Sequence, residues 1–299
     1  MIAILFILLY AALFLGIVQR VRSILSGRKG PKILQPVYNI ILLLRKGSVF
    51  SQTSSIIVQL APTISVCATL TAALLVPLGK SFPSIFAFDS DFVLFACLLA
   101  LGRFAYMLNA MDAGSSFQGM GASREALFGL LIEPAFFVLL GALALLTGNT
   151  SFSGIMGDFR SHGINGVAMG VLSAFVLFNI MLVETGRMPV DDSKTHLELT
   201  MIHEAMVLDN SGFDLALIQI NALLKFSIFG TLICGCLIPE GILHVSYLLI
   251  YLTVMLLCAV VLGWFESYRV RFPLVKNASY MLAISAISLI AFFAAAALV

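Results

Sequence analysis

The chain has 299 residues, of which 61% are hydrophobic and only 11% are charged. Soluble globular proteins have roughly 45–50% apolar and about 25% charged residues. This composition, with a mean hydropathy of +1.07, therefore predicts a polytopic membrane protein. The formal net charge of +2 argues against the strongly basic surface of a nucleic-acid-binding protein. All 5 cysteines fall within apolar stretches, so they indicate neither a disulfide framework nor exposed ligands of an iron–sulfur cluster.

Apolar runs long enough to cross a bilayer define the predicted fold. A helix needs about 20 residues to cross roughly 30 Å of hydrocarbon, and the sequence contains eight such runs. We predict an all-α protein with a single transmembrane domain over residues 1–299. The predicted spans lie at about residues 2–19, 54–78, 92–111, 126–146, 165–183, 215–238, 243–264 and 278–298.

The basic residues predict how these spans are oriented. Of the 17 lysines and arginines, all except Lys80, Arg103 and Arg160 lie in or beside the connections after spans one, three, five and seven. Basic residues favour the cytoplasmic side of a membrane. Both termini are therefore expected on the non-cytoplasmic side.

A basic segment over residues 20–47 follows the first span and contains no carboxylate. Within it, the stretch QPVYNIILLLRKG is too short to span the bilayer but is apolar on much of its surface. These properties predict an amphipathic helix in the membrane interface. The segment either fixes the topology alone or provides a docking surface for a peripheral partner.

Ionisable residues mark a candidate ion pathway through spans three and four. Each ionisable group at the centre of a span is unfavourable by about 2.5–3.5 kcal/mol. Arg103 lies inside span three and Asp112 ends it, while Arg124 and Glu125 open span four and Glu133 lies two turns further in. A buried Arg103 requires a carboxylate, and Glu133 or Asp112 is the nearest along the chain. A structural ion pair explains that pairing as well as a proton relay does, and Arg124 and Glu125 are also explained as interfacial anchors.

A further polar stripe lies at the start of span six. Asp214, Asn221 and Lys225 fall within about 40° of each other on a helix. Lys225 either serves transport or extends its amine to the membrane interface as an anchor.

The longest polar segment, residues 184–214, is predicted to be a cytoplasmic loop. Glu184 and Arg187 close span five, and Asp191 and Asp192 follow. Further along, Glu198 stands three residues after a threonine, a spacing that a helix-capping box also explains. His196 and His203, with Glu204 beside the latter, lack the H-E-x-x-H zinc spacing, so hydrogen-bonded histidines near the membrane surface are favoured over a metal site.

Three stretches also carry a family resemblance. Residues 28–46 read RKGPKILQPVYNIILLLRK, residues 112–134 read DAGSSFQGMGASREALFGLLIEP, and residues 184–205 read ETGRMPVDDSKTHLELTMIHEA. These resemble the subunit shared by respiratory complex I and the membrane-bound nickel–iron hydrogenases, the complex I subunit 1 and formate hydrogenlyase subunit 4 family. Together with eight predicted spans, the resemblance covers most of the chain.

This resemblance implies a role, partners and cofactors. In that family the subunit anchors a hydrophilic electron-transfer arm on the cytoplasmic side, beside antiporter-like membrane subunits. Its buried carboxylates couple the redox reaction to proton or sodium movement. Iron–sulfur clusters and a nickel–iron centre are therefore expected in partner subunits, with no cofactor in this chain, and the location is the inner (cytoplasmic) membrane of a prokaryote.

The resemblance implies that one group of residues faces the electron-transfer arm and that another forms the polar path. Residues singled out above by their charge and position are added to each group. The predicted ion pathway comprises Arg103, Asp112, Arg124, Glu125, Glu133 and Lys225. The predicted docking and coupling loop comprises Glu184, Arg187, Asp191, Asp192, Glu198 and Glu204.

One departure from the family pattern indicates which type of complex the chain belongs to. Quinone-reducing members carry an acid-rich run of the E-G-E-S-E kind where residues 192–198 read DSKTHLE. The sequence therefore favours a hydrogenase or formate hydrogenlyase type of complex over a quinone-binding subunit of an NADH:quinone oxidoreductase. Two other hypotheses remain: a stand-alone secondary transporter, which would need internal symmetry that the sequence does not show, and a passive assembly anchor without an ion path.

Overall fold

The computed structural model describes residues 2–51, 54–79, 82–158, 163–191, 202–238, 244–269 and 272–298. Within these residues the chain is built from helices. In chain order they are α1 (Ile2–Leu25), α2 (Gln35–Leu44), α3 (Ile56–Leu75), α4 (Asp91–Asp112), α5 (Ser116–Thr147), α6 (Phe152–Asp158), α7 (Gly163–Glu184), α8 (His203–Met206), α9 (Phe213–Leu237), α10 (His244–Tyr268) and α11 (Leu274–Leu298).

The long helices confirm the predicted all-α membrane fold. Among the described residues, 8 helices are long and apolar enough to cross a membrane, and each overlaps one predicted span. The short helix α2 coincides with the predicted interfacial helix. It begins at Gln35 with Pro36 in its first turn, where a proline removes no helical hydrogen bond.

Helix α5 begins ten residues earlier than the predicted fourth span, so the prediction of its start was wrong. It has 32 residues, or about 48 Å at 1.5 Å per residue, and so exceeds the hydrocarbon thickness. Ser115 caps its first turn by accepting a hydrogen bond from the Gln118 N–H at 3.3 Å. Arg124 and Glu125 therefore lie within a continuous helix rather than at its entrance, because the cap precedes the apolar run on which the prediction relied.

Helix α9 lies at the centre of the bundle and packs against α1, α2, α3, α7 and α10. In the apolar part of α9, 72% of the residues are buried within the protein, compared with 28% in the apolar part of α11. Its polar side chains consequently meet other helices. The Ser227 hydroxyl donates to the Ile7 carbonyl at 2.6 Å, and the Thr231 hydroxyl lies 2.8 Å from the Tyr251 hydroxyl.

Candidate functional site

Arg103 of α4 is the centre of a buried group of charges. Its side chain is only 3% exposed. Its Nε lies 3.4 Å from Glu125 Oε1 and its Nη1 lies 2.8 Å from Glu133 Oε1, both on α5. Its Nη2 contacts Glu184 Oε1 at the end of α7. One guanidinium therefore joins three carboxylates from two helices, and of the two candidate partners named from the sequence, Glu133 and Asp112, Glu133 is the one in contact.

Small residues on α5 make room for these contacts. Gly121, Glu125, Gly129 and Glu133 recur every four residues, so successive members drift by only about 40° around the helix. A Cβ on Gly129 would lie 2.7 Å from Arg103 Nη1, and one on Gly121 would lie 3.0 Å from the Ile202 carbonyl oxygen. Gly129 thus allows Arg103 to approach between Glu125 and Glu133, and Gly121 allows the chain around α8 to approach α5 one turn before Glu125.

Lys225 of α9 completes this group, which we call the ion cluster: Arg103, Glu125, Glu133, Glu184 and Lys225. The Lys225 Nζ donates to Glu184 Oε2 at 3.0 Å. The formal charges of the cluster sum to −1 when every member is ionised. Because burial penalises an unbalanced charge, the cluster is chemically suited to hold one exchangeable proton.

The carboxylates of the cluster differ in exposure. The side chains of Glu125 and Glu184 are each 7% exposed, whereas that of Glu133 is 37% exposed. The sequence analysis groups Glu184 with the docking and coupling loop, and the structure shows that its carboxylate also belongs to the ion cluster. The helix α7 continues to Glu184 and so carries this carboxylate inward.

Four other residues singled out from the sequence lie apart from these contacts. Asp112 accepts hydrogen bonds from the Ser55 N–H and hydroxyl, both at 2.8 Å, and so joins the end of α4 to the start of α3. Asn221 donates to the Ser65 hydroxyl of α3. Asp214 is buried in the first turn of α9. Arg124 is half-buried on α5 and is not among the residues that contact Arg103.

The segment after α7, residues 185–191, is held from several directions, and we call it the α7–α8 loop. The Phe272 N–H donates to the Pro189 carbonyl at 3.1 Å, and the Asn277 amide donates to the Val190 carbonyl at 2.9 Å. Buried Glu266 of α10 pairs with Arg187 at 3.4 Å and with Arg22 of α1 at 3.6 Å. The loop is therefore fixed to α1, α10 and α11.

Asp191 links this loop to α8. Its Oδ2 accepts hydrogen bonds from the Ile202 and His203 N–H groups at 3.1 and 3.0 Å, and it lies 3.5 Å from His203 Nδ1. Burial alone would raise the pKa of Asp191, but His203 and the two N–H donors hold that pKa below its usual range. Burial would likewise lower the pKa of His203, but the carboxylates of Glu125 and Asp191 raise it above its usual range.

A cavity of about 360 Å³ opens beside these groups. Its polar lining includes Arg187, Asp191, His203 and Glu204, and its apolar lining comes from α1, α2 and α9. Desolvation and then the charge of Asp191 raise the pKa of Glu204, against the opposing effects of His203 and Arg187. The polar side of the cavity therefore adjoins the ion cluster through His203, which lines the cavity and faces Glu125.

The sequence analysis names His203 but not Glu266, and some of the residues that it names lie outside the described residues. His203 had been interpreted as a hydrogen-bonded surface histidine, and Glu266 had not been singled out. An acidic residue near the end of a predicted span, as Glu266 is, was the available signal. Asp192, His196 and Glu198 lie outside the described residues. Within the described residues, no group of three His, Cys, Asp or Glu side chains has an arrangement that could hold a metal ion.

The fold and site together define a multi-pass membrane protein with a buried ion cluster next to a polar loop. Residues 1–297 match the model of the NADH dehydrogenase family, the complex I subunit 1 family, and the chain belongs to it. The resemblance noted in the sequence is thereby confirmed.

Two curated relatives come from Escherichia coli (strain K12). Hydrogenase-4 component C is 31% identical over 235 residues, which cover 79% of this chain and 73% of the relative. Formate hydrogenlyase subunit 4 is 30% identical over 234 residues, covering 77% and 74% of the two chains. Both relatives are components of oxidoreductase complexes.

A solved structure shares the fold. A chain from the membrane-bound sulfane sulfur reductase, an archaeal respiratory membrane complex, superimposes with a TM-score of 0.81 and covers 98% of both chains. Its sequence identity of 20% limits the comparison to the fold.

Proposed function

We propose that this chain is the membrane subunit of a redox-driven, ion-translocating complex of the membrane-bound hydrogenase or formate hydrogenlyase type. It docks the hydrophilic electron-transfer arm through the α7–α8 loop and couples electron transfer to proton or sodium movement through the ion cluster. The family membership and the two hydrogenase-related relatives support this assignment.

The observation that carries the coupling role is the excess carboxylate of the ion cluster. A purely structural ion pair needs one carboxylate for one cation, whereas Arg103 contacts three carboxylates, of which Glu184 is shared with Lys225. A change in charge on a nearby redox centre would alter proton affinity within the cluster. The half-exposed Glu133 then offers an exit toward a neighbouring membrane subunit.

The α7–α8 loop supports the docking role. It is fixed to α1 and α10 through Glu266 and contacts the ion cluster through Asp191 and His203. Because the loop is held in place, a displacement or a change of charge in the bound electron-transfer arm would reach the ion cluster and would not be absorbed by movement of the loop. Residues 184–214 are accordingly the proposed contact with the last cluster-bearing subunit.

The proposed partners and location follow from the same family. Hydrophilic iron–sulfur and hydrogenase-like subunits lie on the cytoplasmic side, with antiporter-like subunits beside this chain in the inner membrane of a prokaryote. The iron–sulfur clusters and the nickel–iron centre belong to those partners.

Extraction of the chain from its native membrane in mild detergent tests this assignment. Mass spectrometry of the co-purifying subunits is combined with measurement of iron and nickel. Nickel, iron and a hydrogenase large subunit are expected. Iron without nickel, beside flavin-bearing subunits, would contradict the hydrogenase type, and a lone chain without metal would favour a secondary transporter.

The cavity favours a second candidate function, a quinone-binding subunit of an NADH:quinone oxidoreductase. Its volume of about 360 Å³ and its mixed polar and apolar lining are typical of small-molecule sites. Organic extraction of the purified complex, followed by chromatography, tests this function. A stoichiometric quinone that is lost on substitution of a lining residue such as Ala222→Phe would favour it over the hydrogenase type.

A further inference from the structure

We propose that His203 carries protons between Asp191 at the cavity and Glu125 in the ion cluster, and so admits protons to the cluster. This inference rests on the coupling role proposed above and deepens it. It assigns a proton-transfer residue on α8, an element outside the membrane spans.

The geometry places the two ring nitrogens of one imidazole toward two different carboxylates. His203 Nδ1 lies 3.5 Å from Asp191 Oδ2 in the α7–α8 loop. His203 Nε2 lies 3.8 Å from Glu125 Oε2 on α5. Since Glu125 also contacts Arg103 at 3.4 Å, the imidazole is the link between the cavity wall and the buried charges.

The surrounding residues hold the ring in this position. The Tyr106 hydroxyl of α4 donates to the His203 carbonyl at 3.2 Å. Gly186 has a positive φ of 58°, and a Cβ at that position would overlap the imidazole. The ring therefore fits between the loop and α5 only because residue 186 has no side chain. At 26% side-chain exposure, His203 still reaches the cavity.

Proton transfer through the ring conserves charge and moves no electrons. When Asp191 takes up a proton from the cavity and both carboxylates move within hydrogen-bond reach of the ring, that proton leaves the Asp191 carboxyl and bonds to Nδ1. At the same time the proton on Nε2 leaves and bonds to the Glu125 carboxylate. One O–H bond breaks and one forms, one N–H bond forms and one breaks, and the imidazole ends as its other tautomer. Rotation of the ring about the Cβ–Cγ bond restores the first tautomer with the proton left on Glu125, whereas the reverse transfer would return that proton to Asp191.

Charged groups from every neighbouring element set the proton affinity of His203. Asp191 faces it from the loop and Glu125 from α5, and both favour the imidazolium, whereas Lys225 of α9 opposes it. Glu204 lies beside it on α8 and is itself influenced by Arg187. The two carboxylates together raise the pKa of His203 above its usual range, which favours uptake of a proton by the ring.

The competing role for His203 is that of a permanent positive charge that only attaches α8 to α5. Substitution by arginine distinguishes this role from proton transfer. In His203→Arg the positive charge remains near Asp191 and Glu125, but an arginine does not release its proton. In His203→Gln the ring is replaced by a neutral amide. The matched control is His244→Gln, because His244 is exposed at the first residue of α10 and packs on Phe82 away from the cluster.

The test uses the complete complex in sealed vesicles and measures protons moved per electron transferred. A positioned acid–base group contributes about 10²–10⁴-fold. We therefore expect at least about a tenfold fall in proton movement per electron in both His203 variants, with electron transfer to an added acceptor retained and His244→Gln unchanged. Imidazole added to His203→Ala, where the ring is missing next to the cavity, is expected to restore proton movement.

The remaining results separate this inference from the coupling role. Normal proton movement in His203→Arg, together with a loss in Glu133→Gln, would overturn the relay and leave the coupling role intact. Normal proton movement in Glu133→Gln would overturn the coupling role itself. Failure of His203→Ala to assemble even with imidazole present would identify His203 as a structural anchor and overturn the relay.

Discussion

At the scale of single residues, the environment of Arg103 explains why the bundle tolerates so many charges. The guanidinium lies within 3.4 Å of carboxylates from α5 and α7, and Lys225 shares Glu184 with it. Buried charges persist when they are paired, and removal of one partner leaves the other uncompensated. Each member of the ion cluster is therefore expected to depend on the others.

This dependence predicts non-additive effects of substitution. Lys225→Met leaves Glu184 with one cation, and breaking a buried pair of this kind destabilises a protein by about 3–5 kcal/mol. Adding Glu184→Gln removes the uncompensated carboxylate, so the double variant is expected to be more stable than Lys225→Met alone. Denaturation of the purified complex in detergent measures both. A double variant whose loss equals the sum of the single losses would contradict the pairing.

The glycines of α5 provide a second residue-scale prediction. A Cβ on Gly129 would collide with the Arg103 guanidinium, which its ion pairs keep in place. A Cβ on Gly119 of the same helix would have no atom within 4 Å. Gly129→Ala is therefore expected to lower stability by about 1–3 kcal/mol through overpacking. Gly119→Ala is expected to raise it by up to about 1 kcal/mol through helix propensity. Equal shifts in the unfolding midpoint would show that Gly129 does not make room for Arg103.

At the scale of elements, hydropathy predicted the spans because each apolar run in this chain is long enough to form one helix. The start of α5 was not predicted, because residues 116–125, SFQGMGASRE, do not form an apolar run and only the cap at Ser115 marks the boundary. Local sequence also placed Glu184 in a loop. Its partners, Arg103 and Lys225, are brought to it by α4 and α9, and such long-range contacts are absent from local patterns.

The attachment of α8 to the α7–α8 loop is expected to depend on pH. The pKa of His203 is raised in the folded protein, so its stabilising charge is fully present below the unfolded value of about 6.5. That contribution is lost as pH rises through the raised pKa. Hydrogen exchange of residues 202–206 in the complex, corrected for intrinsic rate, should show decreasing protection over that range. His203→Gln should remove this pH dependence, and unchanged dependence in that variant would assign it to another group.

Glu266 is predicted to hold the docking surface in place. In Glu266→Gln, both Arg22 and Arg187 lose their carboxylate partner, and the α7–α8 loop loses one of its attachments. Arm subunits should then be released from membranes at lower salt than in the unmodified complex, as should happen in Arg187→Ala and Asp191→Asn. Asp89→Asn, an exposed substitution before α4, is the control. Retention of the arm in all three test variants would exclude docking through this loop.

At the scale of the whole molecule, the central helix α9, the long helix α5, the middle of α4 and the end of α7 bring the charges of the ion cluster together. The same arrangement places the cluster beneath a fixed loop and beside a cavity. A passive anchor would need the fixed loop but not the surplus carboxylate. The composition of the cluster is thus the feature of the fold that favours coupling.

The most direct measurement of this central claim compares Glu133→Gln with Asp89→Asn in the complete complex in sealed vesicles. Electron transfer and the movement of H⁺ and Na⁺ are recorded together. The expected result is an assembled, redox-active Glu133→Gln complex whose ion movement per electron falls at least about tenfold, with Asp89→Asn unchanged. Normal ion movement per electron in Glu133→Gln would contradict coupling through the ion cluster.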